Sequence, residues 1–124
     1  CLFKNPTTST RVAKLVFFDI SYTALTASAW EIYRNPTVSS NGTLRTVTKL
    51  DIREGSNQVN LYVSPIVTTY NNLVRKFTIP ISTKEFSSNA PTLQLEPGES
   101  FLIKRISKAS GTVTIKWRWQ EFNK

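Results

Sequence analysis

The amino-acid sequence predicts an all-β fold: one antiparallel β-sandwich over residues 1–124, jelly-roll-like, with about eight or nine strands. Three observations predict it. Apolar and polar residues alternate near the C-terminus, where Val113, Ile115, Trp117 and Trp119 fall on one face and Thr114, Lys116, Arg118 and Gln120 on the other. That period of two marks a half-buried strand. Glycine-bearing turns recur between apolar runs, at SSNGT (39–43), REGSN (53–57), EPGES (96–100) and KASGT (108–112), and each supplies a residue that takes positive φ without strain. The composition agrees: 40% hydrophobic and only 19% charged, rich in the Thr, Val, Ile and aromatic side chains that suit a pleated, half-buried surface.

Along the chain, residues 1–4 make a short lead strand. The second strand spans about 12–20, with Val12, Val16, Phe18 and Ile20 inward, and the third 25–34, carried by Trp30 and Ile32. Then come 44–52 (Leu44, Leu50, Ile52), 58–64 (Val59, Leu61, Val63) and 72–81 (Leu73, Phe77, Ile79, Ile81). The segments 92–96 (Leu93, Leu95) and 100–106 (Phe101, Ile103) precede the C-terminal strand, which is the ninth. An aromatic-x-[Asn/Ser]-Pro-x-x-[Ser/Thr] corner opens three times, at Phe3, Tyr33 and Tyr62, with its prolines 30 and 29 residues apart; FTIPIST from Phe77 fits only a looser form and is out of step. Proline fixes φ and drives the residue before it to an extended conformation, ending the strand, while the following Thr or Ser can bond the freed backbone groups. Successive loops of such a sandwich alternate between its two ends. The three corners follow the first, third and fifth strands, so they are expected at one end together with EPGES.

Several function classes are excluded by what is missing. With no histidine, imidazole bases, Ser-His-Asp or Cys-His nucleophiles and imidazole metal sites all disappear. A single cysteine, Cys1, forbids an intrachain disulfide or a thiolate zinc site. A leading cysteine fits a lipid-modified lipoprotein, but a removed initiator Met or an upstream cut accounts for it more simply. The eight acids are scattered; only Asp51/Glu54 and Glu96/Glu99 lie close together, both beside glycine turns. No cofactor motif and no apolar run long enough to cross a bilayer is legible, so no catalytic role and no membrane partner are expected.

Lys and Arg outnumber Asp and Glu 16 to 8, a net charge of +8 that steers the chain towards an acidic surface. Lys104, Lys116 and Arg118 are the candidate cations, and Asn35, Pro36, Thr37 and Asn41 the candidate contact residues of the loop end. Each set also has an ordinary structural reading, as a solvated strand face and as strand terminators. Trp117 and Trp119 point away from Lys116 and Arg118, so the rings belong to the core and a nucleic-acid groove is disfavoured. Tyr22, Tyr33, Tyr62 and Tyr70 suit surface rings, of use to a sugar-binding sandwich.

The stretches IYRNPTVSSNGTL, SPIVTTYNNL and LQLEPGESFLIKRISKASGTVTIKWRWQE resemble small all-β structural proteins of tailed-bacteriophage virions, of the capsid decoration (cement) and head-fibre type. The resemblance runs from about Phe3 to Glu121. It implies a jelly-roll or related sandwich, a symmetric homo-oligomer that is often a trimer, no catalytic residues, and a place on the capsid exterior against the major capsid protein or another virion protein. The alternative is a carbohydrate- or receptor-binding module of a phage tail or bacterial surface. A nucleic-acid binder ranks third and an enzyme last.

Overall fold

A computed structural model describes residues 1–22, 28–46, 58–79, 85–89, 93–106 and 113–123, with backbone alone at 16–22, 28, 79, 85–89, 113, 114, 116 and 117. Among these residues the regular structure is all β. The strands are β1 Leu2–Lys4, β2 Arg11–Tyr22, β3 Ser28–Arg34, β4 Thr37–Ser40, β5 Thr43–Arg45, β6 Asn60–Val63, β7 Ile66–Thr69, β8 Leu73–Ile79, β9 Glu85–Asn89, β10 Gln94–Leu95, β11 Ser100–Arg105 and β12 Val113–Asn123. They pair antiparallel in a six-stranded sheet of order β5-β6-β1-β11-β3-β8, a sheet in which β2 lies between β12 and the pair β9 and β10, and a two-stranded ribbon β4-β7. The antiparallel sandwich is as predicted, with twelve strands among the described residues where about eight or nine were expected. Jelly-roll connectivity is not established by these pairings, in which β1 joins β11 and β2 joins β12.

The core lies between the two large sheets. Phe3, Trp30, Ile32, Phe101 and Ile103 face inward from the six-stranded sheet and meet Ala13, Leu15 and Leu95 from the other. Trp119 packs edge-on against Phe3 with ring centroids 4.9 Å apart, as the C-terminal alternation predicts; the side chain of Trp117 lies outside the described residues. The inward face of β2 is opposite to expectation at its start, where Ala13 and Leu15 are fully buried and Val12 is only half-buried. The cause is a bulge: β12 pairs Arg118 with Phe17 but Trp119 with Leu15, so Val16 is skipped and the period of two changes parity within one strand. The expected strand at 44–52 is described only as β5, and residues 47–57, including the REGSN turn, lie outside the described residues, as do 80–84 and 107–112.

The ribbon explains the repeated corner. β4 leaves the end of β3 and delivers the chain to β5, beside β6; β7 leaves the end of β6 and delivers it to β8, beside β3. Both therefore cross the outer face of the six-stranded sheet, passing over β11 and β1. Register places Leu44, Tyr62, Leu2, Leu102, Tyr33 and Leu73 in one row across all six strands of that face. The two central members are buried, Leu2 at 0% and Leu102 at 3% exposure, whereas the ends are open, Leu44 at 58% and Leu73 at 52%. The strand order is a palindrome of matched pairs, β3 with β6, β4 with β7 and β5 with β8, and the 29-residue step from Thr37–Ser40 to Ile66–Thr69 is the sequence echo of it. The match continues at the centre, where β1 pairs with β11, Leu2 against Leu102, Phe3 against Phe101 and Lys4 against Ser100.

Two expectations about the corners are corrected. The residues before Pro36 and Pro65 are left-handed, with φ of 50° at Asn35 and 55° at Ser64, not extended. Asn is among the residues that tolerate that conformation, and here the neighbouring strand holds it: Asn35 N–H donates to Ser100 O at 2.8 Å, and Ser100 N–H donates to Asn35 Oδ1 at 2.8 Å. The side-chain oxygen thus continues the ladder while the main chain turns out of the sheet. The corners also do not gather at one end. Those at Pro6 and Pro36 do, with EPGES, but Pro65 lies at the opposite end because β6 runs antiparallel to β1. Gly42 and Gly98 both adopt φ of 92° in the SSNGT and EPGES turns, and at Gly42 a Cβ would strike the carbonyl oxygen of Val63.

Candidate functional site

At the Pro6/Pro36 end, three corners are tied into one block. Asn5, fully buried, donates its N–H to Glu99 O at 2.9 Å and accepts at its carbonyl from Gly98 N–H at 2.8 Å. Its Nδ2 reaches Arg11 O at 2.8 Å and Leu95 O at 3.1 Å, so one side chain joins the two sheets where the chain passes from β1 to β2. Arg34 Nη2 lies 2.6 Å from Glu99 Oε2, which also accepts from Glu96 N–H at 2.8 Å. Burial pushes the Glu99 carboxyl up, but the Glu96 N–H, the Arg34 guanidinium and the Asn35 side chain outweigh it and hold the group below its usual value. The acidic pair Glu96/Glu99 is thus a structural device in which Glu99 braces the turn.

On this block Asn35 and Thr37 are exposed and Pro36 is buried. Asn71 Nδ2 donates to Thr37 Oγ1 at 3.2 Å, and Thr68 Oγ1 donates to Thr37 O at 3.1 Å, which fixes Thr37 against the returning ribbon strand. Asn41 is at the other end of the ribbon, accepting from Lys4 Nζ at 3.4 Å. The loop candidates therefore divide into Asn35, Pro36 and Thr37 at one end and Asn41 at the other.

The cationic set divides as well. Lys104 alternates with the core residue Ile103 and lies on the outer face of the six-stranded sheet; Arg118 alternates with Trp119 and is exposed on the outer face of the opposite sheet. The side chain of Lys116 lies outside the described residues. Closeness in sequence misled here, because β11 and β12 belong to different sheets and their outer faces look in opposite directions.

Around Lys104 the structure assembles a group that the sequence only partly indicates. Its Nζ sits 4.0 Å above the Tyr70 ring, and Tyr70 tilts against Tyr33 with centroids 5.1 Å apart. Tyr33 OH donates to Glu31 Oε2 at 2.8 Å, and that bond to a carboxylate, chiefly, raises the phenol above its usual value. Cross-strand register sets Lys104 opposite Glu31 and Glu31 opposite Lys76. Tyr33 and Tyr70 are legible as surface rings; Glu31 is found only once the register is known.

A second polar group, missed by the sequence reading, is structural. Glu121 accepts from Val59 N–H at 2.8 Å, Gln58 N–H at 3.0 Å and Arg11 Nη1 at 3.3 Å, while Gln58 Oε1 accepts from Ser9 Oγ and Thr10 N–H, both at 2.8 Å. It pins the approach to β6 onto β12. The readable signal was a carboxylate two residues after Trp119, hence at an inward position. Among the described residues no cluster of His, Cys, Asp or Glu could hold a metal, and no helix is long and apolar enough to cross a membrane. No known protein family, curated protein or solved structure matches the chain.

Proposed function

We propose that the chain is a non-enzymatic structural protein of a virion, a decoration protein that binds and stabilises the capsid surface as a symmetric homo-oligomer. The observation that carries this reading is the braced end of the sandwich, where Asn5, Arg34, Asn35 and Glu99 lock three corners and leave Asn35 and Thr37 exposed on a rigid base. Contact surfaces held in one conformation lose little entropy on binding, which is what a clamp across capsid subunits requires. The resemblance to phage decoration proteins and the charge of +8 point the same way.

The test is co-sedimentation of the purified chain with tailed-phage particles stripped of their surface proteins, across a salt series. Saturable occupancy is expected, lost in Thr37→Arg and changed little by salt or by Arg118→Glu. Loss of occupancy with salt or with Arg118→Glu would transfer the contact to the cationic faces, since exposed charges are screened beyond about 8 to 10 Å at physiological ionic strength. Absence of co-sedimentation refutes the proposal. A second reading, a carbohydrate- or receptor-binding module, is favoured by Tyr70, a ring 44% exposed beside Lys104 and Tyr33. Glycan binding that disappears in Tyr70→Ala, without particle binding, selects it.

A further inference from the structure

We propose that Asn41 is a site of self-modification, in which the main-chain nitrogen of Gly42 closes on the Asn41 side chain, expels ammonia and leaves a succinimide that water opens to aspartate or isoaspartate. The ribbon strand β4 passes to β5 through these two residues, and they are the one Asn-Gly pair in the sequence. The corner asparagines Asn5 and Asn35 precede proline, whose nitrogen has no hydrogen to lose. At position 42 the fold itself demands glycine: φ is 92°, and a Cβ there would strike the Val63 carbonyl oxygen. A nucleophile with no side chain to hinder it is therefore built in beside the Asn41 carboxamide.

Two neighbours suit the turn to this chemistry. Lys4, on the same face of the six-stranded sheet as Leu2, donates from Nζ to Asn41 Oδ1 at 3.4 Å. Its ammonium draws electron density from Cγ and faces the oxygen on which negative charge develops when the nitrogen attacks. Gly42 N–H donates to Ser40 Oγ at 3.2 Å, so the hydrogen that must leave already points at an oxygen on an exposed residue. Ring closure joins adjacent residues of one chain, so no encounter is needed.

The net reaction is a hydrolysis. Gly42 N gives its proton to water by way of Ser40 and bonds to Asn41 Cγ; the Cγ–Nδ2 bond breaks, and Nδ2 takes up a proton and departs as ammonia. Water then adds to one of the two ring carbonyls. Opening at Cγ yields aspartate, and opening at the main-chain carbonyl yields isoaspartate, in which the chain runs through Cβ and Cγ. Either product sets a carboxylate beside Lys4, turns a charge–dipole bond into an ion pair and lowers the net charge of +8 by one. Isoaspartate also lengthens the backbone of a turn packed against Val63 and Ser64. This inference does not depend on the virion reading, and modification and particle binding can fail separately.

The test is incubation of the folded chain at mildly alkaline pH and physiological temperature, followed by peptide mapping with mass spectrometry. Loss of ammonia and then gain of water should localise to Asn41-Gly42, hydroxylamine should cleave the intermediate between those residues, and an isoaspartate methyltransferase should label the product. Asn41→Gln, which would have to close a larger ring, should stay unmodified at that position. Lys4→Met, whose fold is checked by circular dichroism, should slow the reaction about tenfold, less than the loss of an oxyanion donor in a closed active site because Lys4 is only half-buried. Lys4→Arg should keep most of the rate, and in urea wild type and Lys4→Met should react alike. The inference is overturned if residue 41 stays intact in the folded chain, if Lys4→Met reacts at the wild-type rate, or if the loss of ammonia persists as a hydroxylamine-resistant bond between Lys4 and Asn41.

Discussion

The corner at Asn5-Pro6 and the corner at Asn35-Pro36 share an Asn-Pro-Thr core, yet one is an internal rivet and the other an exit ramp. Asn5 is buried and spends its side chain on carbonyls of Arg11 and Leu95, holding two sheets together. Asn35 is exposed and left-handed, and spends its side chain on the adjacent strand, so that the chain can leave the sheet and cross it as the ribbon. Ser64 repeats the second role at the opposite end with a φ of 55°. The tripeptide sets where a strand stops; the strand direction and the neighbouring layer set where the chain goes next.

The largest expected effect breaks the exit-ramp side of this comparison. Leu102 lies beneath the ribbon, and Leu102→Ala should cost roughly 2–5 kcal/mol in urea unfolding, because it removes buried methyl groups and leaves a cavity under the ribbon. Asn5→Ala comes next. It removes both Nδ2 bonds; Arg11 O keeps the Ser9 Oγ donor, but Leu95 O loses its side-chain donor, and with about 1–3 kcal/mol for a buried group left unsatisfied a loss of about 2 kcal/mol is expected.

Glu99→Gln should cost about 1–2 kcal/mol at neutral pH, by weakening charge-assisted bonds to Arg34 and to the Glu96 N–H. The sign of its pH dependence follows from the lowered carboxyl. Its contribution is fully present above the unfolded carboxyl value of about 4.3 and is lost as pH falls through the lower folded value. Unfolding measured from neutral to acid pH should show wild type and Glu99→Gln converging at the acid end. The smallest effects sharpen the comparison: Asn35→Gly keeps the left-handed turn but loses the Ser100 bond, about 1 kcal/mol, whereas Ser64→Gly should be neutral or stabilising by up to about 1 kcal/mol.

Strands with two-sided contrast were legible. The alternation of Trp30 and Ile32, of Leu93 and Leu95, and of Phe101 and Ile103 marks buried faces that the structure reproduces. The ribbon was not, because TVSS and IVTT are short, mostly exposed and rich in Ser and Thr, and β4 and β7 exist through pairing with each other across the Leu2/Leu102 pair. Leu44 and Leu73 were expected on the core face but lie on the outer face, in the row of Leu2 and Leu102, and as the edge-strand ends of that row they are exposed; at Leu73 a bulge at Val74 reverses the parity set by Phe77. Of the candidate site, the Asn35, Pro36 and Thr37 corner was legible because proline chemistry is local; the division of Lys104 from Arg118 was not, because it depends on which sheet each strand joins.

The most direct test of two corners with one motif and two roles is native-state hydrogen exchange on Leu102→Ala and Asn5→Ala, read strand by strand. The account predicts that Leu102→Ala lowers protection in the ribbon, Thr37–Ser40 and Ile66–Thr69, while the β2–β12 ladder keeps its protection relative to global stability. Asn5→Ala should lower protection in both large sheets together. Ribbon and sheets losing protection in parallel in Leu102→Ala, or a loss confined to residues 5–10 in Asn5→Ala, would contradict it.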